Sequence, residues 1–365
     1  MKYLKIILIL ILLIIGTEYI GRIYIKYEVQ KISDFNFDNK TYGILISDNE
    51  LGFVHRSNSY NRNRISNNFG FLNFKDVKLP QKRDKNDKVL ISYGGSTTYG
   101  YNINQKETWP YLLNKKICDL NSAEEICNDL VLNAGHIMWS IGHIYIKAKR
   151  DIPIIKPDYI IIYSGINEYS NYLHLKKNSK KDIDKMIENQ NYGTVTQAYN
   201  WWFIRYNSIF LKILNYYGIN PLKRIIQKYS NIDEQEIYKI AEKDYDKIYK
   251  NYIEVLKKII TFSNKNGTKV IYVSQISGID TKKNIFLTSF SQKATKEVKS
   301  LGVTVIDSMD LIKTYDENKA ELFSDSGVHF SKYGSELFAD FLIQSISKLS
   351  DFITIPLLMD QHNHN

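Results

Sequence analysis

The stretch that decides the fold reads Lys88-Val89-Leu90-Ile91-Ser92-Tyr93-Gly94-Gly95-Ser96. Its short apolar run is typical of a buried strand, and the two glycines allow a sharp turn that can expose the serine. In parallel α/β sheets, ligands bind at the carboxyl ends of the strands. The stretch therefore predicts a strand that ends at a functional serine, Ser96.

Four similar apolar runs follow along the chain, at 130–133, 159–163, 270–273 and 303–306. Helix-like stretches lie between these runs and after the last one, at 109–117, 141–149, 234–262, 293–300 and 331–349. Near-continuous apolar strands that alternate with helices imply a parallel sheet covered on both faces. The sequence therefore predicts an α/β fold over residues 88–350, a three-layer α/β/α sandwich with a five-stranded parallel sheet and flavodoxin-like layering.

The segments outside this pattern predict the domain organisation. The third and fourth strands are separated by a stretch too long for a plain crossover, which predicts a helical insertion over 170–235. Residues 29–87 are polar with isolated apolar pairs, and we interpret them as a loop-rich lead-in. Residues 351–365 end in a polar segment and are interpreted as a C-terminal tail.

The N-terminus is typical of a segment that meets a membrane. Lys2 and Lys5 precede an apolar run over 6–16, and further apolar residues up to Ile25 can extend it across a bilayer. No Ala-x-Ala-like cleavage site and no cysteine for lipid attachment follow this run. We therefore predict an uncleaved transmembrane signal-anchor over 1–28, with the domain that follows it extracytoplasmic by the positive-inside tendency.

Composition and charge narrow the function class. The chain has 365 residues, of which 44% are hydrophobic and 24% charged, as in ordinary globular proteins. Its net charge of +10 suits an anionic membrane surface, an acidic polymer or a nucleic acid. The extracytoplasmic location and the lack of a basic-aromatic recognition module argue against a nucleic-acid partner.

The two cysteines, Cys118 and Cys127, lack the paired spacing of a zinc site. In an oxidising compartment they either close a small disulfide loop or remain two unrelated thiols. We expect no metal and no cofactor.

Chemistry-bearing residues recur at or beyond the ends of the predicted strands. Gly135 follows the second strand, Asn167 and Glu168 follow the third, and Asp325 and His329 lie in the loop before the last helix. A serine hydroxyl is a poor nucleophile until a nearby base removes its proton, and His329 is the imidazole best placed to do so. A phosphate-binding loop is excluded because no lysine follows the glycine-rich turn.

The order of Ser96, Gly135, Asn167 and His329 in four separate blocks resembles the SGNH hydrolases, also called the GDSL esterase and lipase family. This resemblance covers roughly residues 88–350, and membrane-anchored bacterial members look most similar. It implies a serine esterase whose oxyanion hole consists of the Ser96 and Gly135 N–H groups and the Asn167 side-chain amide.

The chain departs from the family pattern at two positions. Gly95 stands where the first block usually has an aspartate, and Ser326 stands where the family has an aspartate three residues before the histidine. Asp325 lies one residue further away, so either Asp325 or a main-chain carbonyl orients His329.

We expect hydrolysis of carboxylic (O-acyl) esters through an acyl-serine intermediate, with an acylated small molecule, lipid or glycan as substrate. One alternative is an O-acyltransferase that acts on a cell-envelope polysaccharide, with a sugar hydroxyl in place of water. Another is a catalytically inactive carbohydrate-binding protein, which the intact Ser96, Asn167 and His329 argue against.

Overall fold

The computed structural model describes residues 2–32, 41–61, 64–84, 87–121, 130–168, 234–278, 282–315, 320–324 and 327–348. Nearly all of the predicted insertion (170–235) and the whole predicted tail (351–365) lie outside these ranges. The chain divides into two compact units, Met1–Val77 with Leu173–Lys243 and Lys78–Tyr172 with Asp244–Asn365. The domain limits drawn from the sequence stay predictions.

The first unit begins with a long helix, α1 (Lys2–Ile32). Its segment Tyr3–Tyr27 has a mean hydropathy of 2.2 and is long and apolar enough to cross a membrane. The charged side chains of Glu18 and Arg22 lie one turn apart and form an ion pair of 3.7 Å. The helix fits a membrane anchor or a signal sequence.

Five short strands follow α1 in the first unit, where the sequence predicted mainly loops. β1 (Thr41–Tyr42) pairs in parallel with β4 (Ser59–Tyr60), which pairs antiparallel with β5 (Ile65–Ser66). β2 (Leu45–Asp48) and β3 (Gly52–His55) form an antiparallel pair. Strands of two to four residues are too short for an alternating pattern to be recognised in sequence.

The second unit contains the predicted sheet. Its strands are β6 (Val89–Gly94), β7 (Leu130–Gly135), β8 (Tyr159–Tyr163), β9 (Lys269–Val273) and β10 (Thr304–Ile306). They lie in the order β10-β9-β8-β6-β7, and every pair is parallel. The first strand of the sheet thus lies between the second and the third, which is the flavodoxin-like order.

Helices cover both faces of this sheet. They are α2 (Ser96–Tyr99), α3 (Trp109–Asn121), α4 (Ile141–Ile155), α5 (Glu234–Lys265), α6 (Lys282–Ser300), α7 (Met309–Thr314) and α8 (Lys332–Ser347). On one face, α3, α7 and α8 pack with Leu90 of β6 and with alternate residues of β8 and β9 in one apolar core. On the other, Tyr93 of β6 donates a hydrogen bond to Asp151 of α4, and Tyr252 of α5 to Tyr272 of β9. The predicted three-layer α/β/α fold is therefore confirmed, and α7 is an element that the sequence did not predict.

Cys118, one of the two cysteines that the sequence left either paired or free, lies near the end of α3. Cys118 is disulfide-bonded in the structure. The only other cysteine of the chain, Cys127, lies outside the described residues.

Candidate active site

The predicted site residues follow the carboxyl ends of three neighbouring strands. Ser96 follows β6, Gly135 is the last residue of β7, and Asn167 comes four residues after β8. His329 lies in the loop before α8. Asp325 lies outside the described residues, so the group that orients His329 is not described.

The turn before Ser96 depends on close approaches that only glycine permits. A Cβ atom at Gly94 would lie 2.6 Å from the main-chain oxygen of Tyr163, and one at Gly95 would lie 2.5 Å from Nδ2 of Asn167. Ser96 then opens α2, and the first N–H groups of a helix have no intrahelical acceptor. Gly95, the residue before Ser96, is thereby held close to the Asn167 carboxamide.

His329 lies beside Ser96 in the fold although the two residues are 233 positions apart in the chain. Its Nε2 atom lies 2.7 Å from Oγ of Ser96, within hydrogen-bond distance. The following residue, Phe330, packs against Tyr163 and Phe338, with ring centroids 6.2 and 4.8 Å apart. These buried rings fix the loop, and the Tyr101 ring lies against the imidazole at 4.9 Å.

Asn167 is buried and its carboxamide is held in one orientation. Its Nδ2 atom donates to the main-chain oxygen of Trp139 at 2.9 Å. The second hydrogen of an amide NH₂ group remains available for another acceptor. Asn167 thus offers an uncharged donor beside the Ser96 turn.

Gly135 packs against α2, where a Cβ atom would lie 2.3 Å from the main-chain nitrogen of Tyr99. Its own N–H donates to Oδ1 of Asn133 at 2.9 Å. The N–H that the resemblance assigns to the oxyanion hole therefore already has an acceptor in this structure. Its role as an oxyanion donor stays a prediction, and it requires this hydrogen bond to be shared or exchanged.

The loop between β7 and α4 contributes features that the sequence did not indicate. Met138 has a φ of 67°, a left-handed conformation that costs a side-chain-bearing residue energy and is common near functional sites. The next residue, Trp139, supplies the oxygen that orients Asn167. Its ring stacks on His136 at 4.6 Å and on His143 at 6.1 Å.

Both of these histidines are buried and neutral near pH 7. Burial lowers the pKa of His136 to about 4, and burial together with His136 lowers that of His143 to about 3. They differ from His329, which is partly exposed and lies at hydrogen-bond distance from the serine.

Glu168 is a second buried group that the sequence placed at the site without a role. Its Oε1 atom accepts a hydrogen bond of 2.6 Å from the Ile141 N–H at the start of α4. Burial raises the pKa of this carboxyl to about 8. Asn167 and Glu168 thus hold the same loop from two adjacent positions.

No group of three or more histidine, cysteine, aspartate or glutamate side chains in the described ranges is placed to hold a metal ion.

Comparison with known proteins gives matches in structure alone, since no protein-family model and no curated protein sequence matches the chain. A member of the lipolytic protein G-D-S-L family from Veillonella parvula is similar with a TM-score of 0.42 and 12% identity, covering 72% of this chain and 99% of that one. A lipase/acylhydrolase from Enterococcus faecalis is similar with a TM-score of 0.43 and 15% identity, covering 72% of this chain and 96% of that one. An acetylxylan esterase from Geobacillus stearothermophilus is similar with a TM-score of 0.43 and 12% identity, covering 71% of this chain and 94% of that one. The Veillonella protein belongs by name to the family that the sequence resembles.

Proposed function

We propose that this chain is a serine esterase that hydrolyses O-acyl esters through an acyl-serine intermediate. The observation that carries the proposal is the 2.7 Å approach of His329 Nε2 to Ser96 Oγ. A serine and an imidazole at this distance form the nucleophile and base pair of acyl transfer. The fixed carboxamide of Asn167 beside the Ser96 turn also supports the proposal.

The reaction begins with attack by Ser96 Oγ on the ester carbonyl carbon, while His329 Nε2 takes the hydroxyl proton. The tetrahedral intermediate collapses, and His329 returns this proton to the departing alcohol oxygen. Water then attacks the acyl-serine with His329 again as base, and the acid leaves while Ser96 regains its proton. His329 thus serves as base and as acid in both halves of the reaction.

The negative charge on the carbonyl oxygen needs donors placed before the reaction starts. We assign this role to the Ser96 N–H, the Asn167 Nδ2–H and the Gly135 N–H. Removal of one such donor typically lowers kcat by about 10²- to 10³-fold. Asn167 is the donor best supported, because its hydrogen bond to Trp139 sets the direction of the amide.

We propose that Asp325 orients His329, because a carboxylate stabilises the imidazolium formed in the transition state more strongly than a carbonyl dipole does.

We further propose that α1 anchors the chain in the membrane and that the catalytic unit faces outward. The lysines before the apolar segment and the length of that segment support this orientation. In that location the substrates are acylated glycans, lipids or small molecules of the cell envelope.

The test uses the full chain in detergent with p-nitrophenyl acetate and an acetylated glycan as substrates. We expect Ser96→Ala and His329→Ala each to lower kcat by at least about 10³-fold. Ser345→Ala is the matched control, because its hydroxyl donates to the Phe341 carbonyl within α8, and it should keep the parental rate.

Two results would overturn the proposal. One is hydrolysis that persists in Ser96→Ala. The other is failure of the parent protein to release acid or to react at Ser96 with a fluorophosphonate, which would favour a binding protein. If the acyl groups are recovered on an added polysaccharide instead of as free acid, the reaction is acyl transfer and not hydrolysis.

A further inference from the structure

Gln275 lies two residues after β9, and 2% of it is exposed. Its Oε1 atom accepts a hydrogen bond from the Ile166 N–H at 2.9 Å. Ile166 immediately precedes Asn167, the proposed oxyanion donor. The carboxamide of Gln275 therefore holds the main chain next to this donor.

The other end of the same carboxamide points to the serine turn. Gln275 Nε2 donates to Thr97 Oγ1 at 3.4 Å, and the Thr97 hydroxyl donates to the Val328 carbonyl at 3.4 Å. Thr97 follows Ser96, and Val328 precedes His329. Both bonds are long, so the Ile166 contact is the strongest of the three.

The directions of these bonds fix the orientation of the Gln275 amide. The Ile166 N–H can only donate, so the oxygen of the carboxamide must face it and the nitrogen must face Thr97. The Val328 carbonyl can only accept, so the Thr97 hydroxyl must donate to it. One continuous chain of donors and acceptors therefore joins the neighbours of all three proposed catalytic groups.

Packing supports the same connection. Ile166 and Val328 form a small buried cluster with Leu287 of α6. The main-chain oxygen of Gln275 accepts a 2.7 Å hydrogen bond from Ser291, also in α6. The main chain of Gln275, from which the chain of hydrogen bonds starts, is therefore held in place by α6.

We propose that the Gln275 carboxamide is a positioning group that sets the spacing of the loops carrying the proposed nucleophile, oxyanion donor and base. The inference rests on the proposed function. Misplacement of reacting groups by about 1 Å can cost about 10²-fold in rate. Gln275 itself does not touch the reacting atoms, so its loss should act on kcat rather than on substrate binding.

The experiment measures kcat and KM for p-nitrophenyl acetate, with the full chain in detergent and active serines counted by fluorophosphonate titration. We expect Gln275→Met to lower kcat per titrated serine by about 10- to 100-fold, with KM changed by less than about threefold. Counting active serines matters because a merely structural role would reduce the number of folded sites and leave the rate of each site unchanged.

Thr268→Val is the matched control. Thr268 lies just before β9, at the amino-terminal ends of the strands and so opposite the site. Its buried hydroxyl donates to the Pro157 carbonyl at 2.8 Å. This variant loses a buried hydrogen bond next to the same strand, at the end away from the site. We expect a lower Tm and an unchanged kcat per titrated serine.

A second pair of variants answers the question if Gln275→Met does not fold. Thr97→Val removes the hydroxyl between Gln275 and Val328 and should lower kcat per titrated serine by about 3- to 10-fold, whereas Thr97→Ser should retain the parental value.

A kcat per titrated serine within about twofold of the parent in Gln275→Met, or in Thr97→Val when the first variant is unfolded, would overturn the positioning role. The parent and Ser96→Ala are assayed alongside. Ester hydrolysis that depends on Ser96 but not on Gln275 refutes this inference alone, and no hydrolysis by the parent refutes the proposed function with it.

Discussion

Replacing Glu168 by glutamine should change how the stability of the protein depends on pH. Glu168 is buried and accepts a 2.6 Å hydrogen bond from the Ile141 N–H, which a glutamine oxygen can also accept. Burial raises the pKa of the carboxyl from 4.5 to about 8. The folded protein therefore binds this proton more tightly than the unfolded chain does, and stability is lost as the pH rises from about 4.5 through about 8.

The magnitude follows from these two pKa values. Between pH 6.5 and 8.5 the free energy of unfolding should fall by about 2 kcal/mol, because Glu168 is ionised in the unfolded chain and stays largely protonated in the folded protein up to about pH 8. His136 and His143 do not contribute in this window, because burial lowers their pKa values to about 4 and about 3 and their effect on stability lies below about pH 6.5. Glutamine does not titrate, so the stability of Glu168→Gln relative to the parent should be about 2 kcal/mol higher at pH 8.5 than at pH 6.5.

Thermal unfolding of the full chain in detergent at several pH values measures this difference. About 2 kcal/mol corresponds to about 4–8 °C in Tm, so the gap in Tm between the two proteins should widen by this amount from pH 6.5 to pH 8.5. Glu297→Gln serves as the control, since the hydrogen bond from Lys257 lowers the pKa of Glu297 below its usual value of 4.5, and Glu297 therefore does not titrate in this window. Parallel Tm curves for the parent and Glu168→Gln between pH 6.5 and 8.5 would refute the reasoning.

Three further predictions concern the site, the fold and the topology. Asp325→Asn should lower kcat by up to about 10⁴-fold because it favours the wrong tautomer of His329; kcat within about threefold of the parent would leave a dyad of Ser96 and His329. Gly94→Ala should destabilise the protein by about 1–3 kcal/mol in denaturant unfolding, because the new Cβ would lie 2.6 Å from the Tyr163 carbonyl. Gly165→Ala, with neighbours no closer than 3.4 Å, should be tolerated, and equal losses would contradict the steric argument. Protease added to intact cells should digest the catalytic unit, and digestion only after the inner compartment is opened would reverse the topology.

The sheet could be predicted from the sequence because its strands are buried on both faces. A strand such as 159–163 then consists of consecutive apolar residues, and this signal needs no knowledge of the neighbouring strands. β1, β4 and β5 have two residues each, and α7 has six, so their patterns are too short to stand out. Such elements depend on tertiary contacts that a single sequence does not display.

Part of the site was predictable for a related reason. Carboxyl ends of parallel strands meet at one edge of the sheet, so residues that follow β6 and β8 were expected close together, as Gly95 and Asn167 are. The hydrogen bond between Gly135 and Asn133 and the contact of Glu168 with Ile141 were not predictable. They depend on side-chain directions within a loop, which residue types and spacing do not specify.

The hydrogen-bond distance between Ser96 and His329 joins residues 233 positions apart in the chain. A ribosome makes Ser96 long before His329, so a nascent chain carries the proposed nucleophile without its base for most of its synthesis. Prematurely terminated chains that end before residue 329 remain unable to activate the serine, whatever else they fold. On the proposed function, ester hydrolysis therefore starts only after nearly the whole catalytic unit has been made.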